Sequence, residues 1–287
     1  LNSLEVAQWK SYKGKLAAMT SNLLILLPPS EGKASGGEGP PLNLESLSFD
    51  EFSKSRTLMI KALGQLSGKP RVAQKILGVK GAALDKARAD NADVLNSPTI
   101  TAIERYTGVM YDSIDYQSLD ADSQRVFGEN TIIMSGLFGM VRPFDLIPTY
   151  KLKMGAKIRL NKSCSTIWKP LISKALKSTA DNGVIWDLLP NEHSAAWDPS
   201  KISCDVRFTV KFLEAGRDGK LKTVSHWSKA LKGALVRHLV ANPKLAGSAD
   251  TALGLLENFS HPEGYKYRPE MIAEVNGATE IVFLKTV

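Results

Sequence analysis

The sequence predicts a mixed α/β fold, a single domain in which a mixed sheet is flanked by helices. Three observations predict it. Short, continuous apolar runs end abruptly at turn residues, as buried strands do. Stretches with helical apolar spacing lie between them, and no repeat, linker or composition break divides the chain. Hydrophobic residues make up 43% of the 287 and charged residues 23%, an ordinary globular composition. A chain of this length buries about 75% of its unfolded surface and needs neither metal nor disulfide to hold a core.

Leu23 to Leu27 is the first such run, ended by Pro28-Pro29. The good pattern starts only after Met19, so residues 1–18 are set apart as an N-terminal extension outside the core and 19–287 as one domain. Ser30 to Pro41, rich in Gly, Ser, Glu and Pro, reads as a loop. Phe49, Phe52, Leu58, Met59, Leu63 and Leu66 recur at roughly helical spacing, and Ser48 with Glu51 has the form of a capping box. Helix is predicted again over Arg71 to Leu77 and from Ala82 to Ala87, with Gly78-Val79-Lys80-Gly81 between them. Thr99 to Tyr106 reads as a further helix started near Pro98. Thr131 to Met134 and Val184 to Leu189 read as buried strands. Arg207 to Leu213 and Leu221 to His226 read as a pair joined by the turn Gly216-Arg217-Asp218-Gly219. Ser228 to Ala241 has the pattern of a basic amphipathic helix, and Glu280 to Leu284 of a last strand.

Lys and Arg number 37 against 29 Asp and Glu, a net charge of +8. That excess suits a polyanionic partner, yet many basic proteins bind no nucleic acid, so charge alone leaves the matter open. Cys164 and Cys204 stand apart with no metal-type spacing and read as two reduced thiols. The four histidines are scattered, so neither a metal site nor a cofactor is expected. No apolar run approaches the ~18 residues of a transmembrane helix, and the expectation is a cytoplasmic chain without a membrane partner.

Several segments carry a resemblance. They are LLPPSEGK at 26–33, YTGVMY at 106–111, SGLFGMVRPFDLIPTYKLKMG at 135–155, DLLPNEHSAAWDP at 187–199, KALKGALVRHLV at 229–240 and EGYKY at 263–267. In this order the chain resembles the YaaA (UPF0246-type) family of peroxide-stress proteins from Leu23 onward. The long central segment is the most specific. The resemblance implies a distinctive α/β fold, a role in surviving peroxide stress, and DNA binding through a helix-hairpin-helix element and a positively charged cleft. The first loop departs from the shorter Ser-Pro-Ala-Lys form of other members.

The Gly78–Gly81 connection has its own physical case. Glycine at each end permits positive φ and close approach of backbone N–H groups to a ligand. The next helix would aim its partially positive amino end at a phosphate, with Lys80 adding charge. The alternative is an ordinary tight connection between two short helices. Arg142 reads either as a clamp for phosphate or carboxylate oriented by Asp145, or as the partner of Asp145 in an ion pair fixing the turn at Pro143. Tyr150 could stack on a base, although burial is the commoner fate of a tyrosine. Glu192 and His193 follow a strand, but no GxSxG, HExxH, Walker or GxGxxG pattern accompanies them, and His193 reads as a solvated loop histidine.

The leading expectation is a peroxide-stress protein binding DNA with little sequence preference. Its contacts would be the Gly78, Lys80 and Gly81 hairpin and a cleft of Lys33, Arg142, Lys153, Lys229 and Arg237. The alternative is an enzyme acting on a small anionic or nucleotide-like ligand, with Ser30, Asp145 and Glu192 as catalytic candidates. Whether the chain is an enzyme stays open. A narrow convergent pocket would favour the second reading, and cations along an open groove the first.

Overall fold

The computed structural model describes residues 23–180, 182–216, 220–224 and 227–286. The expected extension 1–18, the turn residues 217–219 and His226 lie outside them. In chain order the strands are β1 (Leu23–Leu27), β2 (Gly39–Pro41), β3 (Pro98–Thr101), β4 (Thr131–Ser135), β5 (Gly139–Val141), β6 (Leu146–Ile147), β7 (Lys157–Arg159) and β8 (Lys162–Ser163). They continue as β9 (Val184–Asp187), β10 (Val206–Ala215), β11 (Leu221–Thr223), β12 (Lys266–Tyr267), β13 (Ala273–Val275) and β14 (Ala278–Lys285). The helices are α1 (Ser53–Ser67), α2 (Pro70–Leu77), α3 (Ala82–Ala92), α4 (Ala102–Arg105), α5 (Val109–Ile114) and α6 (Ala121–Asn130), then α7 (Cys164–Thr179), α8 (Asn191–Ser194), α9 (Trp227–Ala241), α10 (Pro243–Ala246) and α11 (Ala249–Glu257).

Every side chain of β1, β4 and β9 is buried, which requires cover on both faces and explains why these strands are unbroken apolar runs. They lie in the order β14-β10-β9-β1-β4-β5. The pairs from β14 to β4 are all parallel, and antiparallel β5, β11, β12 and β13 trim the edges. The sheet is mixed, as expected, with a parallel centre. Since β1 lies between β4 and β9, the chain leaves its carboxyl end where the connections diverge. Such a point opens a crevice at strand ends, the usual ligand position in α/β sheets.

The helices cover this sheet through apolar stripes. In α1 the buried residues Arg56, Met59, Ile60, Leu63 and Leu66 follow the three- and four-residue spacing of one helical face. The arginine in that stripe donates to the carbonyls of Phe138 at 3.0 Å, Ser48 at 2.7 Å and Met140 at 2.8 Å. It thereby ties α1 to the backbone of the β4–β5 turn and of the segment before the helix.

Two sequence expectations change. Thr99 to Tyr106 is not one helix: β3 occupies Pro98–Thr101 and only Ala102–Arg105 is helical. The β-branched run Thr-Ile-Thr favours a pleated edge, and it finds partners in Gly39 and Ile147. Gly39 belongs to the segment read as a loop. A Cβ there would stand 2.6 Å from the Thr99 carbonyl oxygen, so only glycine permits this pairing. The capping box is not formed either. Ser48 turns its hydroxyl to Asp145 at 2.8 Å, and a 3-10 turn at Asp50–Phe52 precedes α1 without a side-chain cap.

Candidate functional site

The loop after β1 runs Pro28-Pro29-Ser30-Glu31-Gly32-Lys33 across the crevice. Lys33 pairs its backbone with Tyr106, and its ammonium donates to the Ser30 carbonyl at 2.9 Å. That ammonium also lies 4.4 Å from the centre of the Tyr150 ring and 5.2 Å from that of Tyr106. Burial and then the charge of Lys151 push the Lys33 pKa down from 10.5 to about 7, with Glu31 opposing. The faces of the two rings also favour the charged form. The result is an amine poised between ammonium and free base near neutral pH, suited to act as a nucleophile, a base or a switchable cation.

Beneath it runs a chain of hydroxyls. Tyr106 Oη lies 2.8 Å from Tyr150 Oη, which lies 2.8 Å from Ser135 Oγ at the end of β4. Ser135 Oγ accepts from the N–H groups of Leu137 and Phe138. With both lone pairs engaged, its own proton goes to Tyr150. Burial holds both phenols above their ordinary range, Tyr150 at about 12, so at neutral pH they remain proton carriers.

Two further segments complete a small pocket of about 50 Å³. From 150–154 come Lys151 and Lys153, which hold Glu31 at 3.0 and 3.1 Å; the Lys151 hydrogen bond leads in holding the Glu31 carboxyl below its ordinary range. After β9, α8 brings Glu192 and His193. Glu192 accepts from the Gly155 N–H at 2.6 Å. His193 is half-buried with Nδ1 closed from water and unpartnered, and burial lowers its pKa. It is therefore a neutral pocket residue and not the solvated loop histidine expected.

Of the sequence candidates, Ser30, Lys33, Lys153 and Glu192 meet here. The others do not. Arg142 donates its guanidinium to the Glu129 carbonyl and lies over the Phe49 ring. Asp145 is buried and accepts from the backbone N–H of Ser48 at 3.0 Å and of Arg142 at 2.9 Å. Burial raises its pKa while these bonds oppose. It thus fixes the turn at Pro143 through backbone groups, the structural alternative without the ion pair. Arg237 donates to the carbonyls of Ile114 and Asp115, closing the end of α5. Lys229 is exposed on α9. Gly78, Lys80 and Gly81 lie at the far end of α3 from Asn91, whose amide brackets Lys151 with bonds of 2.8 and 3.0 Å; eleven residues of helix span about 16 Å.

The pocket also uses Glu31 and Lys151, with Tyr106 and Ser135 in the hydroxyl chain beneath it, none of them among the expected contact or catalytic residues. Their one sequence signal was membership of the segments 26–33, 106–111 and 135–155. Cys164 is buried, donates to the Ala156 carbonyl, and burial pushes it up to about 12, so it resists forming the reactive thiolate. Among the described residues no group of three or more His, Cys, Asp or Glu could hold a metal ion. No helix among them is long and apolar enough to cross a membrane.

The comparisons with known proteins agree with the motif order. A family model described as Peroxide stress protein YaaA matches residues 23–271. A UPF0246 protein of Streptomyces coelicolor is 36% identical over 220 residues, 76% of this chain and 83% of that one. Another from Corynebacterium efficiens is 37% identical over 232 residues, 79% and 89%. An uncharacterized protein of Campylobacter jejuni is 34% identical over 215 residues, 74% and 82%. The chain belongs to the YaaA family of peroxide stress proteins, the UPF0246 proteins.

Proposed function

We propose that this peroxide-stress protein binds the DNA backbone, with little sequence preference, through the helix-hairpin-helix formed by α2, Gly78–Gly81 and α3. The observation that carries the reading is the exposed, uncapped start of α3. Gly78 has φ 66° and Gly81 φ 59°, both with open space where a Cβ would stand. Gly81 offers no side-chain cap, so the first N–H groups of the helix are available to a phosphate. Lys80 lies in the turn itself and Lys75 in the last turn of α2, both exposed and without an ion pair among the described residues. Phosphate contacts of this kind position a duplex without reading it. Lys229 adds exposed charge elsewhere, whereas Lys33, Arg142 and Arg237 are engaged inside the fold and leave the contact set.

Fluorescence anisotropy with duplex, single-stranded and junction DNA across a salt series tests this. Binding should weaken steeply with salt. Lys80→Ala should reduce the slope of log K against log salt by about one, and Gly81→Ala should weaken binding to every sequence alike. No binding at low salt, or binding indifferent to both variants, overturns the proposal.

The second reading is an enzyme or receptor for a small anionic or nucleotide-like ligand at the Lys33 pocket. The convergence of Ser30, Lys33 and Glu192 at the β1 crevice favours it. Loss of ligand binding on Lys33→Met with the hairpin intact would separate it from the first.

A further inference from the structure

A second, much larger cavity of about 860 Å³ lies against the sheet beside β9, β10 and β14, where Asp187, Arg207, Thr209 and Glu280 line it. Thr209 pairs directly with Asp187 on one side and Glu280 on the other. Arg207, two positions from Thr209, shares their face. The alternate residues Trp186 and Phe208 are core, 4.8 Å apart. Trp197 lies over the polar face, its ring 5.6 Å from the Arg207 guanidinium. The short helix α8 separates the two cavities: Glu192 and His193 line the Lys33 pocket, Asn191 and Ser194 this one.

The inner end of the cavity is incompletely satisfied. The Arg207 side chain is only 9% exposed and that of Asp187 only 3%; the guanidinium donates to Asp187 at a long 3.3 Å and to the Asn276 carbonyl at 2.8 Å. Lys232 enters from α9 and donates to the Leu188 carbonyl at 2.8 Å. Two cations, Arg207 and the half-buried Lys232, therefore face the one buried carboxylate, with Asp198 and Glu280 further out on the walls. Arg207 Nε and Trp197 Nε1 are both buried without a hydrogen-bond partner. Each is a donor only, so what this end lacks is an acceptor oxygen. An unpaired buried donor is costly, and buried ion pairs with loose geometry do not stabilise a fold. The Asn276 bond ties β10 to the turn before β14, but it leaves Arg207 Nε and Trp197 Nε1 unanswered, and an incoming oxyanion would answer them.

We propose that this cavity is a binding site for a small oxyanionic ligand, a carboxylate or phosphate monoester of up to nucleotide size. Its anionic oxygens take up the Arg207 and Trp197 donors beside Lys232, and its body lies along Trp197. Neither donor atom is exposed, so ligand entry turns the guanidinium out of its contacts with Asp187 and the Asn276 carbonyl. Asp198 and Glu280 on the walls suit a ligand that also carries hydroxyl or amino donors. Cavities of about 300–1,000 Å³ hold molecules of this size.

Isothermal titration of the full chain with succinate, inorganic phosphate and adenosine monophosphate, with thermal shifts alongside, tests the site and distinguishes the ligand classes. At least one probe should bind and raise Tm. Trp197→Phe, which keeps a ring but deletes the donor, should weaken that probe about tenfold, and Arg207→Met should abolish binding. Silence from all three probes at millimolar concentration overturns the proposal, as does binding that survives both Trp197→Phe and Arg207→Met. Binding lost in Lys33→Met but kept in Trp197→Phe assigns the ligand to the other pocket and also overturns it.

Discussion

At the Lys33 ammonium two pulls meet, removal from water against the faces of Tyr106 and Tyr150. The pKa of about 7 against an ordinary 10.5 has a definite thermodynamic sign. Below about pH 7 both folded and unfolded chains carry the charge, and the folded chain bears the full burden of burying it. Between about 7 and 10.5 the unfolded chain holds the extra proton, so stability rises with pH across that window. Urea midpoints of the wild type and Lys33→Met at pH 6, 8 and 10 should show the wild type gaining on the variant as pH rises. A gap independent of pH would remove the depressed lysine from the account. Ser30, Lys33 and Glu192 were legible in the sequence, because each follows a run recognisable as a buried strand. Arg142 and Arg237 misled for a common reason. A charged side chain reads as a ligand for something outside, yet here their guanidiniums satisfy backbone carbonyls, as those of Arg56 and Arg105 do.

Among the elements, the turn after β4 shows how the pocket is held. A Cβ on Gly136 would stand 2.8 Å from the Leu152 carbonyl oxygen and 2.9 Å from the Lys153 carbonyl carbon. The segment carrying Tyr150, Lys151 and Lys153 therefore rests directly on that turn. Gly136→Ala is expected to destabilise the protein by about 1–3 kcal/mol through overpacking, and to loosen the Glu31–Lys153 contact. Denaturant unfolding measures the first effect, and an unchanged midpoint would contradict the close packing. The buried strands were legible as apolar runs, as were α1 to α3 and α9. The helix α7 was not, because Pro170 within it reads as a break and its first turn is rich in small and β-branched residues. Strands of two or three residues such as β6 and β8 carry too few side chains for any period to show. β3 looked helical because a four-residue strand runs directly into a four-residue helix.

For the molecule as a whole, the parallel centre of the sheet makes β10 depend on β14. Their register runs from Phe208 and Thr279 to Glu214 and Lys285, and Phe212 stacks on Phe283 with ring centres 5.3 Å apart. Deleting residues 278–285 would leave the long edge of β10 unpaired and uncover Phe208 and Phe212, a template for aggregation. Such a truncation should move the protein from the soluble to the insoluble fraction on expression. Soluble, monomeric material by light scattering would show that β14 is dispensable. The basic balance was legible from composition, but its division between an exposed hairpin, a half-buried pocket and a second cavity was not, since those groups meet only through pairings between distant segments.

That same pairing sets a timetable for the ribosome. The central strand β1 is made well before its partner β9 and then β10, and β10 in turn waits for β14. At about 5–20 residues per second, on the order of ten seconds or more separate the synthesis of Leu23 from that of Phe283. Throughout that interval the apolar runs at β1 and β4 lack their full complement of neighbours, and non-local parallel pairing is intrinsically slow to form. The nascent chain should therefore rely on holding chaperones until β14 clears the exit tunnel.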